Sequence, residues 1–216
     1  MTLFRNILLL QLLIPAMVYA QDGIVVALKG SVSSESHGQT SKLKIGSPVS
    51  DGSSVITGAG AFAVLSLPDG TKLKLKEDTR VQVHIPPPER RETTVVELVT
   101  GAIFAAVNKH EGQKFQVKTR IADAGVRGTE FFTSIGEKDA FWLCVNEGSV
   151  DVTPTGSQKP IAVPQGLGIL VEHGKNPDPP KPYAWTKKLN WKMEGDVEDT
   201  TEIKMEYKNL LHYHYD

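Results

Sequence analysis

From Gly23 to about Gly174 the chain is a succession of short apolar or alternating runs, each closed by turn-forming residues, and no stretch there sustains a helical apolar period. Thr71-Lys72-Leu73-Lys74-Leu75-Lys76 sets leucines between lysines, the period of a strand with one face in water. Val81-Gln82-Val83-His84-Ile85 repeats the pattern. Pro68-Asp69-Gly70 separates Phe62–Leu67 from the Lys/Leu run, and two such runs joined by a tight turn make a hairpin. Phe115–Thr119, Phe131–Ile135, Phe141–Val145, Ile161–Val163 and Ile169–Val171 continue the series. The pattern predicts an all-β domain.

Glycines bend that domain. Lys29-Gly30-Ser31-Val32, Thr100-Gly101-Ala102-Ile103 and Glu147-Gly148-Ser149-Val150 each follow an apolar run with a glycine, a small residue and a β-branched one. The copies lie 71 and 47 residues apart, so they do not form a repeat array. A glycine inside a strand pattern marks a bend, a bulge or a close backbone approach. Strands that turn corners are therefore expected, in a β-roll, a β-helix-like stack or a sandwich of bent sheets.

Two proline-rich breaks divide the chain. Ile85-Pro86-Pro87-Pro88-Glu89-Arg90-Arg91-Glu92 cannot be a central strand, because proline supplies no N–H to a ladder, and it reads as an exposed loop. Asn176-Pro177-Asp178-Pro179-Pro180-Lys181-Pro182 reads as a linker, placing the β domain at 21–174, the linker at 175–182 and a tail at 183–216. The tail carries Trp185 and Trp191, aromatics suited to pinning it to its own domain. Within it Ile203, Tyr207, Leu210 and Leu211 fall on one helical face, so the tail is expected to be partly helical.

The first twenty residues read as an export signal. Arg5 precedes the apolar run from Ile7 to Ile14, and Val18 and Ala20 are small residues placed for cleavage after Ala20. The apolar stretch is shorter than the roughly 20 residues of a spanning helix. No cysteine lies near the cleavage point for acylation. Removing this segment takes away Arg5 alone, leaving 23 basic against 25 acidic residues and a net charge of −2. That balance gives no electrostatic reason to expect nucleic-acid binding, and no later stretch is apolar enough to span a bilayer. The expected location is the periplasm or the exterior.

The sole cysteine, Cys144, stands inside Phe141-Trp142-Leu143-Cys144-Val145, where a structural thiol belongs. A hydrolase needs a nucleophile on an exposed elbow, and Ser66, Ser134 and Ser149 sit in or beside strand-like runs instead. Glu97, Asp123, Glu130 and Glu147 are not paired by any sequence pattern. Of six histidines only His212 and His214 are clustered, on one face if that stretch is extended, and they are weak metal candidates without a third fixed ligand. No phosphate-loop spacing occurs. Neither a cofactor nor catalysis is expected.

The segment Gly125-Val126-Arg127-Gly128-Thr129-Glu130-Phe131 departs from alternation. Its two glycines permit unusual dihedrals or close approach at the entry to an aromatic strand. Arg127 and Glu130 are expected to form an internal pair or to bond backbone groups, the alternative being a ligand site. This segment resembles the signature of the FecR-domain family, named for the ferric-citrate transport regulator. Thr57–Phe62 with Leu67-Pro68-Asp69-Gly70-Thr71, Glu147–Val152 and Gln165-Gly166-Leu167-Gly168 resemble its flanking strands and turns, covering roughly residues 23–172.

The resemblance implies an extracytoplasmic all-β domain with a structural signature. In the founding regulators that domain receives a signal from an outer-membrane transporter and relays it through a membrane helix to a sigma-controlling segment. Only a handful of residues precede Ile7 here, so that cytoplasmic segment is not expected. The expected role is an exported binding or scaffold domain whose partner is an envelope protein or glycan. The alternatives are a signalling accessory that binds a membrane receptor or transporter, and a cryptic carbohydrate-active enzyme.

Overall fold

A computed structural model describes residues 22–87, 92–109, 114–136, 139–184, 186, 189 and 191–193. The expected export signal, residues 88–91 of the first proline-rich loop, Trp185, the segment 201–212 and both His212 and His214 lie outside the described residues.

Among the described residues sixteen strands are hydrogen-bonded into one open mixed sheet. In chain order they are β1 (Gly23–Lys29), β2 (Val32–Ser36), β3 (Gln39–Lys42), β4 (Pro48–Val49), β5 (Ser54–Thr57), β6 (Phe62–Ser66), β7 (Lys72–Leu75) and β8 (Arg80–His84). There follow β9 (Thr94–Ala106), β10 (Phe115–Lys118), β11 (Ala122–Val126), β12 (Glu130–Ile135), β13 (Ala140–Glu147), β14 (Ser149–Pro154), β15 (Ile161–Pro164) and β16 (Gly168–Glu172). The long β9 is the hinge of the architecture. Its first half pairs with β8 and, in parallel, with β10; its second half pairs with β7 and β12.

The sheet thereby divides into two layers that share β9. The first runs β4-β1-β6-β7-β9-β12-β13-β16 and the second β3-β2-β5-β8-β9-β10-β11-β14-β15. One core cluster draws inward residues from both, including Val25, Leu65, Leu75, Ile103, Phe131 and Leu143 from the first layer and Val55, Val81, Val96, Val117, Val150 and Val163 from the second. Of the architectures read from the sequence, this is the sandwich of bent sheets.

The chain changes layer at the corners that the glycine pattern marks. Gly30 lies between β1 and β2, Gly101 within β9, and Gly148 between β13 and β14, all three with positive φ. Gly101 shows why glycine is required. With φ at +82°, a side chain there would meet the Oγ1 of Thr79, its Cα at 2.6 Å and the Asp78 carbonyl at 2.8 Å. Under this corner two buried threonines serve the backbone where the ladders part. Thr57 Oγ1 donates to the Lys76 carbonyl at 2.5 Å and accepts from Thr79 N–H at 3.0 Å, while Thr79 Oγ1 accepts from Ala102 N–H at 3.0 Å.

The Lys/Leu strand corrects one expectation. Leu73 and Leu75 are in the core as predicted, but the lysine face is not wet: Lys74 is only 5% exposed and Lys76 9%. Lys74 is joined to the C-terminal segment, its Nζ donating to the Lys192 carbonyl at 3.0 Å.

Candidate functional site

The signature forms the corner by which the chain leaves β11 in the second layer and enters β12 in the first. Val126 and Phe131 are buried in the shared core, and Phe131 is fully enclosed. Gly128 has φ at +62°, and an added Cβ would lie 2.8 Å from the Lys109 Cβ. Gly125 differs: its φ is ordinary, and an added Cβ would make only a 3.8 Å contact with the Asp151 carbonyl. Thr129 is buried, its carbonyl accepts from Val107 N–H at 2.9 Å, and its hydroxyl has no hydrogen-bond partner.

The expected pair between Arg127 and Glu130 does not form. Glu130 accepts instead from the Asn146 amide at 2.6 Å, and Arg127 is exposed. The corner turns its core residues inward and leaves the guanidinium in solvent, because residues 127–129 fall outside both ladders. Arg127 is therefore a surface group.

The carboxylates are partly brought together. The β12–β13 register sets Glu130 opposite Glu147, a pairing that the sequence pattern does not show, and Glu147 is exposed. Asp123 accepts from the Gln116 amide at 3.2 Å on the second layer. Ser134 is fully buried on β12 with no partner for its hydroxyl. Cys144 is buried, and loss of solvation pushes its thiol up to about 12 against a hydrogen bond from the Phe132 backbone that lowers it. Such a thiol is neutral and inert at physiological pH. Among the described residues no cluster of three metal-ligating side chains occurs.

An open groove of about 560 Å³ lies elsewhere, between the β14–β15 turn and the turn after β16, with Thr155, Ser157, Lys159, His173 and Lys175 on its walls. It gathers no signature residue. A groove that sets two hydroxyls beside apolar walls such as Ile121, Ile161 and Val171, and that opens to water, suits a surface contact better than an enclosed reaction.

Two surfaces remain, a covered face and an open edge. The outer face of the first layer carries, in register across the strands, Val64, Lys74, Phe104, Phe132, Cys144 and Gly168. The chain crosses this face after β16. Lys181 exchanges two backbone hydrogen bonds with Gly168, at 2.9 and 3.0 Å, so the proline-rich stretch is anchored at its end. Tyr183 packs edge-on to Trp142 at 5.2 Å and Trp191 edge-on to Phe104 at 5.5 Å. Lys74 Nζ then donates to the Lys192 carbonyl at 3.0 Å, with its charge 5.5 Å from the Phe104 ring centre. Tyr183 and Leu189 are buried in this second cluster.

Among the described residues the two layers end in four strand edges, and these differ. In the first layer β4 is two residues long and begins with Pro48, and β16 is met at Gly168 by Lys181. In the second layer β15 follows Pro160 and ends in Pro164. These are the usual means of blunting an edge. The fourth, β3, has neither a proline nor a covering segment: Gln39-Thr40-Ser41-Lys42 is exposed throughout, with Lys42 its one charged residue. The β2–β3 turn at His37-Gly38 has positive φ at both residues, and the register Ser36↔Gln39 and Ser34↔Ser41 turns those backbone groups toward β2. The Leu43 N–H bonded to the Val32 carbonyl at 2.9 Å keeps the same alternation. Thr40 and Lys42 consequently aim N–H and C=O outward from the sheet.

Residues 53–151 match the family model described as FecR protein, a span that includes the signature corner, the Gly101 bend and Gly148. No curated protein matches the chain. Two crystal structures of a proposed anti-sigma factor from Parabacteroides distasonis share its fold, with a TM-score of 0.54 and 23% identity over 62% of this chain. The match also covers 62% of those chains, so less than two thirds of their length is represented. The signature, its corner and the matched span agree: between residues 53 and 151 this chain carries a FecR-family domain.

Proposed function

We propose that the chain is an exported, non-catalytic binding domain of the cell envelope. It works as a signalling accessory that takes up an extended segment of a membrane protein, with the β3 edge as the receiving surface. Three blunted edges beside one open edge carry this reading, since a sheet exposes a pairing edge where a partner strand is to be added. A backbone edge recognises a polypeptide rather than a glycan, which favours a protein partner. The FecR-family domain supports a signalling role, and the apolar N-terminal segment supports export.

Thr40→Pro tests it. Proline removes the outward N–H and puts its ring where the partner strand would lie, yet is tolerated on an edge. The expected result is loss of co-purification with one integral envelope protein, with thermal unfolding within a few degrees of wild type. Thr40→Ala, which keeps the backbone donor, should retain the partner. Equal recovery of the partner with Thr40→Pro would refute the assignment.

A further inference from the structure

The side chains around the β3 edge carry a charge pattern of their own. Alternation from the buried Val32 sets Ser33 and Glu35 of β2 on the outer face of the second layer. The register brings Thr40 and Lys42 of β3 to the same face, Thr40 beside Glu35 and Lys42 beside Ser33. Glu35 is thus diagonal to Lys42 and is the carboxylate on the adjoining strand placed to neutralise it. It is committed elsewhere. Arg80 of β8 reaches past β5 to Glu35, with 2.6 Å between nitrogen and oxygen. The Lys42 ammonium forms no ion pair among the described residues, nor does that of Lys44 just beyond it, and both residues are exposed.

β3 is also wet on both sides. Gln39 and Ser41, on its other face, are exposed like Thr40 and Lys42, so a strand added here buries no apolar surface against β3. What it meets is backbone donors and acceptors, a cation, and an open hollow of about 450 Å³ beside the hairpin tip. The walls of that hollow are polar side chains, those of Glu35, Ser36, His37, Thr40, Ser54 and Gln82. A lysine on an edge disfavours pairing with a second copy of the same strand and favours an anionic neighbour, since like charges set opposite each other destabilise a pair and unlike charges stabilise it.

Given β3 as the receiving edge, on which this rests, we infer that the segment it takes up is hydrophilic and acidic, with a carboxylate side chain opposite Lys42 and polar side chains on either side of it. The incoming carboxylate occupies the place beside Lys42 that Glu35 has given up to Arg80. Lys42 then serves two ends, discouraging self-pairing of β3 and selecting the partner. Such a segment belongs to an exposed linker or terminus of the partner rather than to its packed core, and its binding weakens as salt rises.

Titration of the isotope-labelled full chain with two capped synthetic peptides tests this, one alternating Thr and Glu and the other alternating Thr and Lys, read by NMR at the backbone amides of Thr40 and Lys42. The acidic peptide should bind about fivefold more tightly than the basic one, as an unlike charge replaces a like one across the pair, and added salt should shrink the ratio. Lys42→Glu changes an exposed side chain and should reverse the order of the two peptides. Equal affinities, or an order unchanged in Lys42→Glu, would overturn the inference while leaving β3 as the receiving edge. Failure of both peptides to perturb the Thr40 and Lys42 amides would overturn it together with the β3 assignment.

Discussion

Replacing Gly101 by alanine should unlock the bend that lets β9 serve two layers. The φ of +82° costs an L-residue about 1–2 kcal/mol. The new methyl would also drive into Thr79, whose Cα lies at 2.6 Å, and the Asp78 carbonyl at 2.8 Å, and overpacking of that kind adds about 1–3 kcal/mol. Moving Thr79 endangers its two bonds to the Ala102 backbone, each worth about 1 kcal/mol. Alanine recovers about 0.4–1 kcal/mol by restricting the unfolded chain. With both bonds lost the net loss is about 3–7 kcal/mol, or roughly 6–28 °C in a protein of this size. Gly156→Ala is the control, because its φ is +85° but nothing lies within 4 Å of the added methyl, so only the backbone cost of about 1 kcal/mol remains. Urea unfolding of both variants measures the difference. If Gly101→Ala falls within 1 kcal/mol of Gly156→Ala, the corner is not sterically closed and the reasoning fails.

Three further outcomes are expected. Arg127→Ala should leave thermal unfolding within about 2 °C of wild type, as surface substitutions stay within about 0.5 kcal/mol; a large drop would show that the guanidinium serves the core. Cys144 should resist aromatic disulfide reagents at pH 8 until the chain unfolds. Its folded pKa, about 12, lies above the ordinary 9.0, so the stability owed to the neutral thiol is present below pH 9 and lost as pH rises toward 12, which unfolding at pH 7 and pH 10 should reveal. Lys74→Ala should cost about 1–2 kcal/mol by removing the bond to the Lys192 carbonyl and the contact with Phe104. The change should appear as a shift in tryptophan emission as Trp191 loosens from Phe104.

Much of the fold was legible because strand period and glycine corners are local signals. Leu73 and Leu75 are inward as alternation requires, and the three glycine echoes mark layer changes. What alternation cannot show is which outward face a later segment will cover. Lys72, Lys74 and Lys76 look alike in sequence, yet Lys74 and Lys76 are buried. A polar residue three positions from another also says nothing of whether the backbone aims them together. Arg127 and Glu130 diverge at their corner, while Glu130 and Glu147, seventeen residues apart, are set opposite by register. The threonines beneath Gly101 carry no signal beyond a β-compatible composition. Openness of β3 became readable only once all four edges could be compared, since the proline near β15 and the bridge at Gly168 have meaning only as edge features.

The claim that β3 receives a partner strand is tested most directly by the exchange of two backbone amides. Thr40 and Lys42 should exchange freely in the isolated protein and become strongly protected when envelope membranes holding the partner are added. Protection of both amides before any partner is present, or continued free exchange in the bound state, would contradict the account.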